Sequence, residues 1–181
     1  MLLSKDESHD FFSNYFPMLF YAAVYEGLIP QTFALIDMIN TPMEIKIKAR
    51  DVLLGDKEIS DYFKKDNKHT LTKERLTFVN AVQSGILSDF ILLKQTKMFS
   101  VLQNADNGKF YHVHNISESF SEMLSYIPTY IMTAIFNFNG KIVCDGLISG
   151  GNIHLGKNIE QRITVEYNNC KRNKMVNELI K

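Results

Sequence analysis

The chain has 181 residues, 45% apolar and 22% charged, enough to bury a sizeable core in one large domain or two closely packed small ones. Twenty basic and twenty acidic residues cancel, so the positive excess with which nucleic-acid-binding domains neutralise phosphates is missing from the chain as a whole. Two cysteines, Cys144 and Cys170, make no disulfide framework and no Cys-x-x-Cys pair, which leaves thioredoxin-like and zinc-ribbon readings without support.

The N-terminus, MLLSKDESHD, turns charged after two leucines and has no signal-peptide core. Ser4 and Glu7 then form a capping-box pattern. Phe11, Phe12, Tyr15, Phe16, Leu19, Phe20, Ala23 and Val24 recur at helical spacing on one stripe, which predicts core packing, with Phe12, Phe16, Phe20 and Val24 mostly buried. Ser, Asn, Pro and Glu interrupt this run, so it reads as a core helix and not a membrane span. Pro17 predicts a kink or a restart in a helix that continues to about Gly27. A shorter helix is expected from Pro30 through TFALIDMI. Thr41 as N-cap, Pro42 at the first helical position and Gly55 past the end delimit the next helix. Asp56 caps a helix whose buried edge is Ile59, Tyr62 and Phe63, and Thr72 opens one with Leu76, Val79 and Val82 inward.

Near residue 86 the period changes. DFILLKQT, KMFSVLQ and KFYHVHNI read as strands, the last two separated at Asn107-Gly108, which offers the positive φ of a tight turn. SESFSEML is a short helix ended before Pro128. TYIMTAIFNF and KIVCDGLIS flank Asn139-Gly140, the strongest hairpin signal in the chain. Alternation puts Tyr130, Met132, Ala134, Phe136 and Phe138 on one face and Ile131, Thr133 and Ile135 on the other, so this strand is buried on both sides and suits the centre of a sheet sandwiched by helices. Gly150-Gly151 lets the chain turn back, and Asn158 caps a last helix. The expected fold is α+β, with a helical region at 1–85 packed on a mostly antiparallel sheet of about five strands at 86–181, closed by a C-terminal helix.

Three segments are familiar in this order: DFFSNYFPMLFYAAVYEG, KARDVLLGDKEISDYFKKDNKHTLTKERLTFVNAV and IFNFNGKIVCDGLISGGNIHLG. Together they resemble an uncharacterised family of Firmicute-type bacterial proteins, most recognisably in the apolar strand followed by Phe, Gly, Lys, Ile and then Asp-Gly-Leu. This chain departs from the family at Cys144, where an aromatic is more usual, and at Pro17 in the first helix. The resemblance implies a bacterial origin and the same fold, and carries no established activity.

Candidate chemistry is sparse. His112 and His114 fall on one face of a strand and offer two zinc ligands, with His154, Asp145 or Cys144 as a third, although no HExxH or acidic cluster accompanies them. Cys144 as a nucleophile needs a base, and His154 is the nearest in sequence; the competing reading is a buried, unreactive core thiol. Gly150-Gly151 precedes a helix, a weak phosphate-binding pattern in the absence of a complete glycine-rich motif. Asp145 has the most apolar surroundings of any acidic residue, so burial would raise its pKa, and it is expected to serve the backbone at the Gly150-Gly151 turn.

The leading expectation is therefore a cytoplasmic binding or regulatory module without catalysis or cofactor, engaging a protein partner or itself, with no nucleic acid and no membrane. The ligand-facing candidates are Asp145, Gly150, Gly151, His154, His112 and His114. The alternative is a small hydrolase acting on a phosphate- or nucleotide-like compound at Asp145 and His154. A third reading, nucleic-acid binding, rests on the basic tail from Lys157 to Lys181, with six Lys/Arg against three Glu. Convergence of Asp145 with the histidines in one pocket favours the enzyme, and dispersal favours the binding module.

Overall fold

The computed structural model describes residues 1–180. α1 (Lys5–Tyr25) opens on the capping box: the Glu7 N–H donates to Ser4 Oγ at 3.2 Å, and the Ser4 N–H donates to the Glu7 carboxylate at 3.0 Å. Pro17 lies inside this helix, which neither breaks nor restarts. The turns on both sides are held in the core by Phe11 and Tyr15 before the proline and by Met18, Leu19 and Ala22 after it. Those residues are the buried face. Phe12, Phe16, Phe20 and Val24 flank it and are only half-buried, contrary to the expectation. The stripe holds two adjacent aromatic rows, and Phe136 and Phe138 receive the Phe11–Tyr15 row at 5.4 to 6.4 Å between ring centroids.

The helix expected from Pro30 is reduced to a 3-10 helix, Leu35–Asn40. α2 (Met43–Gly55) follows Pro42, one residue later than the Thr41 cap implies. α3 (Lys57–Asp66) and α4 (Lys73–Gln83) take the expected caps, with Asp56 accepting from the Glu58 N–H and Thr72 from the Arg75 N–H. Tyr62 and Leu76 point outward instead of inward; Ile59 and Phe63, and Phe78, Val79 and Val82, supply the packing.

The second half comprises β1 (Ile86–Gln95), β2 (Ser100–Asn104), β3 (Phe110–Asn115), α5 (Phe120–Met123), β4 (Thr129–Phe138), β5 (Lys141–Cys144), β6 (Ser149–His154) and α6 (Lys157–Arg172). The sheet is not an open layer between helices. It closes on itself in the order β1-β2-β3-β5-β4-β1, all pairs antiparallel except β3 with β5. This is a five-stranded Greek-key barrel of the OB type. β6 adds outside the closure, along the N-terminal half of β4. Both faces of β4 are buried, as alternation requires: Ile131 and Ile135 fill the barrel with Phe90, Leu102, Val113 and Cys144, while Ala134, Phe136 and Phe138 meet the helices. Residues 1–85 and 86–180 thus share a core.

Asn139 and Gly140 form the tight β4–β5 turn with φ of 48° and 73°. At Asn107-Gly108 only the glycine has positive φ, because the Asn104 side chain accepts the Asp106 and Asn107 N–H groups and shapes a longer loop. Gly150 and Gly151 do not turn the chain back. They lie in β6 with φ of 87° and 86°, where a Cβ on Gly150 would come within 3.2 Å of the Tyr130 carbonyl. α6 starts after Gly156 instead of at Asn158 and lays Ile163 and Tyr167 over Leu93, Val101 and Phe110 on the outer face of β1, β2 and β3. Beyond it the chain runs back along β3, where Asn177 exchanges backbone hydrogen bonds with Phe110 and His112. Among the described residues, no helix is long and apolar enough to cross a membrane.

Candidate functional site

The most polar part of the interior lies where the helical layer meets the barrel. Asp145 leaves the end of β5, and Gly146, at φ 78°, bends the chain so that the Leu147 N–H donates to Asp145 Oδ1 at 3.1 Å. The Tyr15 hydroxyl, from α1, donates to Asp145 Oδ2 at 3.1 Å. The Thr133 hydroxyl, from β4, lies 3.2 Å from both Asp145 Oδ1 and the Leu147 carbonyl, with one proton to give. Cys144 Sγ sits 3.2 Å from the same hydroxyl.

Opposite this carboxylate stands Arg50 of α2, whose side chain is 0% exposed. Its Nε donates to Asp51 at 2.7 Å and its Nη1 to the Leu147 carbonyl at 2.6 Å, with Nη1 3.5 Å from Asp145 Oδ2. The other terminal nitrogen has no protein partner. Burial pushes the Asp145 carboxyl up to about 6, against the opposing pull of Arg50 and its hydrogen bonds. Burial by itself would lower the Arg50 pKa, but Asp145 and Asp51 outweigh it and the guanidinium stays charged. Burial, aided by the Asp145 charge, raises the Cys144 thiol to about 12, so little thiolate exists there.

Asp145 therefore answers to Leu147, Tyr15, Thr133 and Arg50. It does not serve the Gly150-Gly151 region as expected from sequence. Beside it opens a cavity of about 200 Å³ at the seam of α1, α2 and the β5–β6 connection, with no histidine in its lining. His154 instead packs edge-on against Tyr126. His112 stacks flat on Phe99 at 3.7 Å and hydrogen-bonds the Tyr167 hydroxyl, and burial lowers its pKa. His114, next but one on β3, is likewise lowered by burial. Gly150 and Gly151 pack against β4 and Leu124. Among the described residues, no group of three His, Cys, Asp or Glu side chains is arranged to hold a metal ion.

Sequence patterning places Tyr15 and Thr133 on packing faces and gives neither of them, nor Arg50, a polar role. The one local signal is Arg50 itself, a charge set three residues after Ile47 and three before Leu53 in an apolar helical register. Tyr15 and Asp145 are separated by 130 residues. No family model, curated protein or solved structure matches the chain, so the reading of this site rests on its own geometry.

Proposed function

We propose that the protein is a binding module without chemistry of its own, and that its partner is a second copy of this chain. The observation that carries the reading is an apolar ridge. Phe33, Leu35, Ile36, Ile39 and Met43 are all exposed within eleven residues of chain, Ile36 at 65%. They present on the order of 450 Å² of apolar side chain, the size of the largest patch on a typical monomer, which is often functional.

The ridge has a groove beside it. A cleft of about 510 Å³ runs between Phe12, Phe16 and Pro17 of α1 and the inner side of Leu35, Ile36 and Ile39, and no Asp, Glu, Lys or Arg lines it. A ridge adjoining a matching groove is what a two-fold contact uses, each copy inserting its ridge into the other's groove. A stable interface buries about 800 Å² per partner, so ridge and groove would form its apolar centre with surrounding residues as rim. Zero net charge leaves two copies without overall repulsion.

Other features support the absence of nucleic acid from this function. The outer face of β2 and β3, which barrels of this type present to oligonucleotides, is covered by α6. Both cysteines are free, which fits a cytoplasmic setting. Sedimentation equilibrium over roughly 1–200 μM decides the matter. Dimerisation of the wild type, lost in Ile36→Asp/Ile39→Asp with unchanged circular dichroism, is the expected result. A monomer throughout that range, or a dimer indifferent to these changes, overturns it and leaves the ridge to a different protein.

A further inference from the structure

The cavity beside Asp145 shares Phe12 and Phe16 with the groove of that contact and Met43 with its ridge, but it reaches inward to a polar lining of a different kind. We propose that it is a binding site for a compact organic cation, of the quaternary ammonium class.

The size comes first. At about 200 Å³ the cavity is somewhat larger than the ~150 Å³ cavities that admit benzene-sized ligands. It is too small for a nucleotide and suits a ligand of choline dimensions. Three aromatic rings line it, those of Phe12, Tyr15 and Phe16, with Phe12 and Phe16 stacked at 5.3 Å and 20° between planes. Aromatic faces attract cations through their quadrupoles, and more strongly when the cation is desolvated.

The charges favour the same sign of ligand. Asp145 and Glu118 contribute carboxylates to the lining, against the single cation Lys46. The Lys46 ammonium is committed to the Ile39 carbonyl at 2.7 Å. Arg50 lies behind the wall; with Asp51, whose side chain is 36% exposed, the five charged groups in and behind the lining sum to one negative charge.

Hydrogen-bond capacity then separates one cation from another. Asp145 already accepts from Leu147 N–H and Tyr15 O–H, with the Thr133 hydroxyl and Arg50 Nη1 close to its remaining lone pairs. A primary ammonium would bury three donors and find no free carboxylate lone pair at the back of the site. A quaternary ammonium needs none. It takes the field of the carboxylates and the three aromatic rings of the lining. Gly146 adds room, since a Cβ there would meet nothing within 4 Å.

The test uses the full-length protein with choline chloride, tetramethylammonium chloride, and 3,3-dimethylbutan-1-ol, the neutral isostere of choline, at constant ionic strength. Calorimetry and thermal denaturation should show saturable binding and a raised Tm with both cations, and neither with the alcohol or sodium chloride. Amide shifts in nuclear magnetic resonance should centre on Ser117, Gly146 and Leu147. Glu118→Gln, outside both the buried network and the groove, and Phe12→Leu, whose association state is checked by sedimentation because it also lines the groove, should each weaken choline binding about threefold to tenfold while keeping the wild-type fold. Equal binding of the neutral isostere would reduce the site to an apolar cavity and overturn the proposal. So would the absence of saturable binding, amide shifts centred elsewhere, or full affinity in both variants.

Discussion

Replacing Asp145 with alanine removes both carboxylate oxygens at once, and the structure fixes what each was doing. The Tyr15 hydroxyl and the Leu147 N–H lose their acceptor, while the Thr133 hydroxyl retains the Leu147 carbonyl as an alternative. Two stranded donors cost about 1–3 kcal/mol each before relaxation. Arg50 keeps Asp51 and the Leu147 carbonyl but loses its buried counter-charge. Stranding a buried charge costs about 3–5 kcal/mol, and Asp51 recovers part of that. The expected loss for Asp145→Ala, after relaxation, is therefore at least about 3 kcal/mol in urea denaturation followed by circular dichroism at pH 7.5. Asp145→Asn should cost about 1–3 kcal/mol less, because it keeps Oδ1 as acceptor for Leu147 and Thr133 while stranding the Arg50 charge as alanine does. Arg50→Met combined with Asp145→Ala should cost less than the two singles added together, since each single strands the other's partner. The pH dependence carries its own sign. The folded pKa of about 6 lies above the unfolded value of 3.8, so the native state binds the extra proton between those limits. Stability relative to Asp145→Asn should then rise as pH falls from about 6 towards 4, and be flat above about 7. A loss below 1 kcal/mol for Asp145→Ala, or equal losses for Ala and Asn, would refute the reading of this network as the polar tie between helices and barrel.

Two further outcomes follow from single positions. Gly140→Val should cost about 1–2 kcal/mol in the same denaturation assay, entirely through backbone strain at φ 73°, because an added Cβ meets no atom there; a neutral effect would contradict the assigned turn. In native protein, iodoacetamide followed by peptide mass spectrometry should modify the half-buried Cys170 and spare Cys144 until denaturant is added; rapid modification of native Cys144 would show that the barrel interior opens.

What the sequence determined was local. Ser4 with Glu7, Asp56 and Thr72 mark helix starts because a cap is made by side chains within three residues of the backbone they satisfy. Asn139-Gly140 marks its hairpin because positive φ is a property of the residue itself. Alternation in β4 assigns Ile131 and Phe136 to opposite faces whatever those faces meet. Only the tertiary structure decided what they meet. A period of two is the same for a strand in a flat layer and one in a barrel, and closure depends on β1 reaching across to pair Ile86–Leu92 with Thr129–Ile135. In α1 both aromatic rows satisfy the helical period, and the position of Phe136 and Phe138 chooses Phe11 and Tyr15 over Phe12 and Phe16. The same docking brings Tyr15 and Arg50 to Asp145 across separations of 130 and 95 residues and leaves His154 outside. Periodicity specifies which way a side chain points along its own element; which long-range partner it meets is set by how the elements pack.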